Sequence, residues 1–160
     1  MRNSLGSHSQ PAGRTGIGVD EAAFLFLSSA SMIASGGQDA SGKVSTKERR
    51  RAVEAALWLE ANAAEPVGLE HAARCAGLSP FHFLRLFSKV TGVTPHQYLV
   101  RTRLRRAARL LSQEDLPVTD VALDCGFADL SNFVRTFRRV AGMSPGKFRK
   151  KFQERVALAT

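Results

Sequence analysis

The stretch CGFADLSNFVRTFRRVAGMSP, Cys125–Pro145, decides the fold of this chain because it is written twice. Fifty residues upstream, Cys75–Pro95 reads CAGLSPFHFLRLFSKVTGVTP. Leu69, Ala72, Ala73 and Gly77 align with Val118, Val121, Ala122 and Gly126 at an offset of 49, and one extra residue follows the glycine. Phe83, Arg85, Phe87, Val90, Gly92 and Pro95 then align with Phe133, Arg135, Phe137, Val140, Gly142 and Pro145 at an offset of 50. At ~100° per residue, Phe133, Phe137 and Val140 form one stripe with Leu130 beside it, while Ser131, Arg135 and Arg138 lie opposite, flanked by Asn132 and Arg139. In the upstream copy Phe83, Phe87 and Val90 take the buried stripe and Phe81, Arg85 and Ser88 the exposed one, with His82 and Lys89 flanking. A short helix, a glycine turn and a second helix with one apolar face make a helix-turn-helix, whose second helix suits the ~12 Å major groove of DNA.

Outward from the repeat, the pattern stays helical from Ser45 onward. STKERRRAVEAALWLEANAAE opens with the capping-box spacing Ser45 to Glu48 and offers Val53, Ala56, Leu57 and Leu59 as core residues. Arg49, Arg50 and Arg51 crowd its first turns against the helix dipole, as a solvated face or as a hint of a use elsewhere. Pro66 ends this helix, and a short one from Leu69 stops at Gly77. Ser79 and Pro80 read as N-cap and first residue of a third, which Gly92 and Pro95 close. His96 to Gln113 forms a longer helix with Val100, Leu104, Ala108 and Leu111 on one face and Arg101, Arg105, Arg106 and Arg109 largely elsewhere. Pro117 restarts the short-helix, turn, helix order. No segment alternates with period two, so the expected class is all-α.

The first 44 residues differ. Met1 to Val19 is rich in Ser, Gly, Arg and Pro, and SGGQDASGK, Ser35–Lys43, reads as a polar linker. Between them DEAAFLFLSSASMIA is apolar for roughly 13 residues, short of the ~20 that span a bilayer. Asp20 and Glu21 stand where a signal peptide carries positive charge. A short helix is expected there.

The chain of 160 residues is 44% hydrophobic and carries a net charge of +9. Residues 45–152 hold 19 basic and 10 acidic residues, so the helical part carries the whole excess. A compact basic domain suits a polyanion, either nucleic acid or an anionic membrane face. Cys75 and Cys125 are too far apart for a CxxC pair and match no metal spacing with the four histidines, which points to reduced structural thiols in a cytoplasmic protein.

The tandem units, the long helix between them and VTDVALDCGFADLSNFVRTFRRVAGMSPGKFR together resemble the DNA-binding region of the AraC/XylS family of bacterial transcription regulators. The resemblance covers roughly Thr46 to Phe152. It implies two homeodomain-like three-helix units, about residues 46–95 and 117–152, bridged by a linker helix at 96–113. Seven helices would fill a domain at 45–153, between an N-terminal segment at 1–44 and a tail at 154–160. Ala128 stands where the family often has a small hydroxyl residue, leaving Asp129 to cap the helix. Leu84 and Leu130 replace positions that are often polar in the family.

Carried over position by position, the resemblance makes Arg85 and Arg135 the leading base readers, and the helical phase independently turns both outward. Arginine suits the task because its fork bonds guanine O6 and N7 together. Phe81 on an exposed stripe suits thymine methyls, or packs on the linker helix. His82 and Asn132 share one position at the edge of the reading face, opposite a base or a phosphate. Ser131 answers to Phe81, while Leu84, Leu130 and Val134 suit methyl groups or the rim of the core. Ser79, Lys89, Thr119, Arg138, Arg139 and Lys147 are candidate phosphate contacts, setting affinity and salt dependence rather than sequence preference.

The expected function is regulation of transcription by a monomeric domain that reads double-stranded promoter DNA in successive major grooves. RNA polymerase is the expected second partner. No catalysis, cofactor, metal, membrane or small-molecule effector is expected of this chain. Two other classes compete. A DNA-repair alkyltransferase with such a unit would need a zinc-held cysteine cluster, for which two cysteines do not suffice. A basic helical module for acidic partners or anionic lipid accounts for the charge but not for the duplicated glycine turn.

Overall fold

The computed structural model describes residues 43–158 of the chain. The apolar run and linker of the first 42 residues lie outside this range. Among the described residues there are seven helices and no strand. They are α1 (Thr46–Ala61), α2 (Leu69–Cys75), α3 (Pro80–Thr91), α4 (Pro95–Gln113), α5 (Val118–Asp124), α6 (Leu130–Ala141) and α7 (Pro145–Ala157). The all-α class and the two bridged helix-turn-helix units are those expected from the repeat. The linker helix begins one residue earlier than expected, at Pro95, and α7 runs four residues into the expected tail.

Local chemistry sets the helix ends. The hydroxyl of Ser45 accepts from the Glu48 amide while the Glu48 carboxylate accepts from the Ser45 amide at 2.9 Å, closing the capping box. Thr94 and Gln97 close a second box at the start of α4. Ser79 caps α3, and Asp129 caps α6 by accepting from the Asn132 amide at 2.7 Å, so Asp129 serves where the hydroxyl residue is missing.

Each unit has its own core. Phe83 and Phe87 pack with Leu59, Leu69, Ala72, Ala73 and Leu99 in the first, and Phe133 and Phe137 with Leu104, Ala107, Leu111, Val121 and Cys125 in the second. The repeat extends to ring geometry. Phe83 meets Phe87 at 5.4 Å between centroids and Phe133 meets Phe137 at 5.6 Å, while Tyr98 and Phe148 each set an edge against the second phenylalanine at 5.5 Å.

Several expected core positions are corrected. Val53 and Leu57 are 47% and 60% exposed, and α1 instead buries Ala52, Ala55, Ala56 and Leu59. That face is mostly alanine, which brings the helix close to its neighbours. Val140 is 63% exposed because it lies at the last turn of α6, past the elements that cover Phe133 and Phe137. It lines a cleft between the units with Tyr98, Leu104, Ala108 and Phe148.

Candidate nucleic-acid interface

Helix α3 follows α2 across a turn at Gly77, and α6 follows α5 across a turn at Gly126. Both glycines have positive φ, 64° and 84°, a region open to glycine but costly for residues with a Cβ. Helices α3 and α6 also end alike, on Gly92 and Gly142 in the left-handed conformation. A glycine turn before each helix, a side-chain cap at its start and a left-handed glycine at its end place the two helices in equivalent frames.

On α3, Phe81, His82, Arg85 and Lys89 are exposed. The Arg85 guanidinium carbon lies 5.8 Å from the centroid of the Phe81 ring, so the exposed aromatic face is partly covered by a cation and the arginine is held against it. On α6, Leu130, Ser131, Arg135, Arg138 and Arg139 are exposed, and Asn132 and Val134 are half-buried. The Arg135 guanidinium donates to Asn132 Oδ1 at 3.3 Å, and the Thr136 hydroxyl donates to the same oxygen at 3.3 Å. Leu130, Ser131, Val134, Arg135, Arg138 and Arg139 line a shallow open concavity along this face. The two expected base-reading arginines therefore stand outward at the same place on both helices.

Leu84 is corrected: it is only 3% exposed and is no part of the outer face. Its position is about 60° round the helix from Phe87, so it widens the apolar stripe. Leu86, on the other side of that stripe, is also buried, at 8%. Leu86 shares a flank of α3 with His82 and Lys89. Helix α1 packs against α3, and Lys89 and His82 on that flank act on the Glu48 carboxylate in its first turn. Hydrogen bonds from Ser45 lower the pKa of that carboxylate most, and the fields of Lys89 and His82 lower it further. Thr136 holds the matching place on α6 and is buried as well, at 6%.

The expected phosphate contacts Ser79, Lys89, Thr119, Arg138, Arg139 and Lys147 are all exposed, and Ser79 lies at the N-terminus of α3. Helix α4 adds a basic outer face of Arg101, Arg105, Arg106 and Arg109. Arg105 is tied to Glu60 at 3.3 Å, and Glu60 also accepts from the Tyr98 hydroxyl at 2.7 Å. Arg50 pairs with Glu54 at 2.8 Å in solvent, so one of the three basic residues at the start of α1 is accounted for as a solvated face. No cluster of metal-ligating side chains occurs among the described residues, and no helix there is long and apolar enough to cross a membrane. Cys75 is exposed, while Cys125 is fully buried and burial pushes its thiol up to about 11.

Comparison with known proteins agrees with this geometry. A family model described as a helix-turn-helix domain matches residues 72–151, half of the chain. The chain belongs to the AraC family of helix-turn-helix transcription regulators. Among solved structures, the DNA-binding domain of AdpA, described as a global transcriptional factor in complex with a target DNA, is similar with a TM-score of 0.63 and 33% identity, over 66% of this chain and 95% of that one. A regulator with an AraC-type DNA-binding domain from Chromobacterium violaceum is similar with a TM-score of 0.62 and 30% identity, over 68% and 96%. The transcriptional activator RhaS of Escherichia fergusonii is 43% identical over 93 residues, 58% of this chain and 34% of that protein. The chain spans about a third of the length of the curated relatives it matches. The family is one of DNA-binding regulators and not of enzymes.

Proposed function

We propose that α3 and α6 enter successive major grooves on one face of a promoter and that Arg85 and Arg135 read guanine edges there. The observation that carries this reading is their equivalence: each arginine is exposed, opposite a buried phenylalanine pair, on a helix set by the same glycine turn. The 19 residues of α4 span about 28 Å at 1.5 Å per residue, compatible with the ~34 Å between successive grooves on one face. Because Phe81 answers to Ser131 and His82 to Asn132, the two helices offer different chemistry, and the target is an asymmetric site bound by one copy of the domain. Phe81 and Leu130 suit thymine methyls; His82, Ser131, Asn132 and Val134 complete the reading faces. Ser79, Lys89, Thr119, Arg138, Arg139 and Lys147 hold phosphates. Contact with RNA polymerase, activation from the bound promoter and a cytoplasmic, nucleoid-associated location belong to the same proposal.

The test is binding of wild type and Arg135→Ala to a panel of promoter fragments, with anionic vesicles as competitor at matched salt. Wild type is expected to prefer a subset of duplexes and to lose ~10- to 100-fold of that preference on substitution. Equal affinity for every duplex, or displacement by vesicles as effective as by DNA, would overturn the proposal.

A further inference from the structure

Gly77 and Gly126 occupy one position of the repeat, with the same sign of φ, yet their surroundings differ. A Cβ on Gly77 would meet nothing within 4 Å, whereas one on Gly126 would lie 2.7 Å from both the Ala63 and the Ala64 carbonyl oxygens. Those carbonyls belong to the connection between α1 and α2, in the other unit. Arg103, on the linker helix, seizes the same connection: its Nε donates to the Ala63 oxygen at 2.7 Å and its Nη2 to the Glu65 oxygen at 2.9 Å. The connection follows the C-terminal end of α1, where the helix dipole favours a cation. The turn of the second unit and the guanidinium of the linker thus close on a single backbone segment of the first.

We propose that Gly126 and Arg103 form a clamp that fixes how the two recognition helices stand relative to each other, and so sets the half-site spacing the protein accepts. The spacing consequence rests on both helices docking in DNA, as proposed above; the clamp itself does not. An extra base pair turns one half-site by ~34° and moves it by ~3.4 Å relative to the other. A clamped pair cannot follow that turn, and an unclamped pair can.

The experiment takes the duplex recovered by the full chain from a random library and variants of it with one base pair added or removed between the two protected halves. Wild type is expected to lose at least ~10-fold in affinity on each change, and Arg103→Ala to lose less than ~3-fold, with Arg103→Lys between them. Gly126→Ala is compared with Gly77→Ala, which carries a similar backbone strain without the carbonyl contact; only the former is expected to relax the spacing. Should Gly126→Ala fail to fold, Arg103→Ala decides. A second measurement needs no DNA: spin labels on the native exposed Cys75 and on Gln153→Cys report the distance between the units. A broader or displaced distribution in Arg103→Ala supports the clamp. An Arg103→Ala protein with the wild-type distribution and the wild-type spacing penalty overturns it. If selection recovers a site contacted by one helix alone, two-groove docking fails, and the spin-label distances still judge the clamp.

Discussion

The two helix-turn-helix units share a frame and differ in what surrounds it. Phe83, Phe87, Gly92 and Arg85 recur as Phe133, Phe137, Gly142 and Arg135, with ring distances agreeing within 0.2 Å. Yet α1 lies against α3, and α3 buries Leu86 where α6 carries Thr136, buried at 6% with its hydroxyl on Asn132. The outer face of α3 is a phenylalanine under an arginine, and that of α6 is polar and arginine-rich. The residues that build the unit recur, and most of those on the outer faces or beside the other unit do not. Equal scaffolds with unequal faces suit the proposed reading of two different half-sites.

The largest expected effect tests the shared frame. Phe83→Ala and Phe133→Ala remove rings that are 1% and 0% exposed, and each should cost ~3–5 kcal/mol in urea unfolding. A cost confined to one of them would break the equivalence of the two cores. The turns come next. Gly77→Ala should cost ~1–2 kcal/mol from backbone strain alone, and Gly126→Ala about 1–3 kcal/mol more, because the carbonyls of Ala63 and Ala64 must give way. Equal losses on thermal melting would dissolve that difference between the units.

Of similar or smaller size, Arg85→Ala and Arg135→Ala should each cost ~1–3 kcal/mol of discrimination, at different base pairs of a selected duplex. Footprints of single-base variants would sharpen the comparison by assigning each helix its half. The cysteines provide a contrast in reactivity: at pH 8 a maleimide should modify Cys75 and spare Cys125. Because burial raises the folded Cys125 pKa from 9.0 to about 11, its contribution to stability is complete below pH 9 and is lost as pH rises through 11. Urea unfolding of wild type and Cys125→Ala across that window should show the extra decline in wild type alone. Smallest of all, Arg138→Ala should leave base preference intact and lower the slope of log affinity against log salt by ~0.9.

Much of the site was legible from residues 75 to 95 and 125 to 145 alone, since periodic phenylalanines fix the helical phase and the phase turns Arg85 and Arg135 outward. Asp129 as the cap of α6 was legible too, because capping is a local matter of a few bonds. The width of the buried stripe was not. Leu84 lies close enough to Phe87 to go either way, and its burial depends on neighbours distant in sequence. The same holds for Val53 and Leu57, which alanines displaced from the core. Only one signal singles out Arg103 among the arginines of α4: its place between Leu99 and Ala107, both buried, which puts it on the inner side of that helix.

By itself the sequence determined the helices, their caps and turns, the doubled unit and the two outward arginines, all set by contacts within a few residues or by a period that repeats. Only the tertiary structure decided which apolar positions are covered and which repeated glycine is pressed against the other unit. Covering and pressing need two segments tens of residues apart to meet, and no local pattern records that meeting. Ala63 and Gly126 are 63 positions apart in the chain, and a carbonyl oxygen of one stands where a side chain of the other would be.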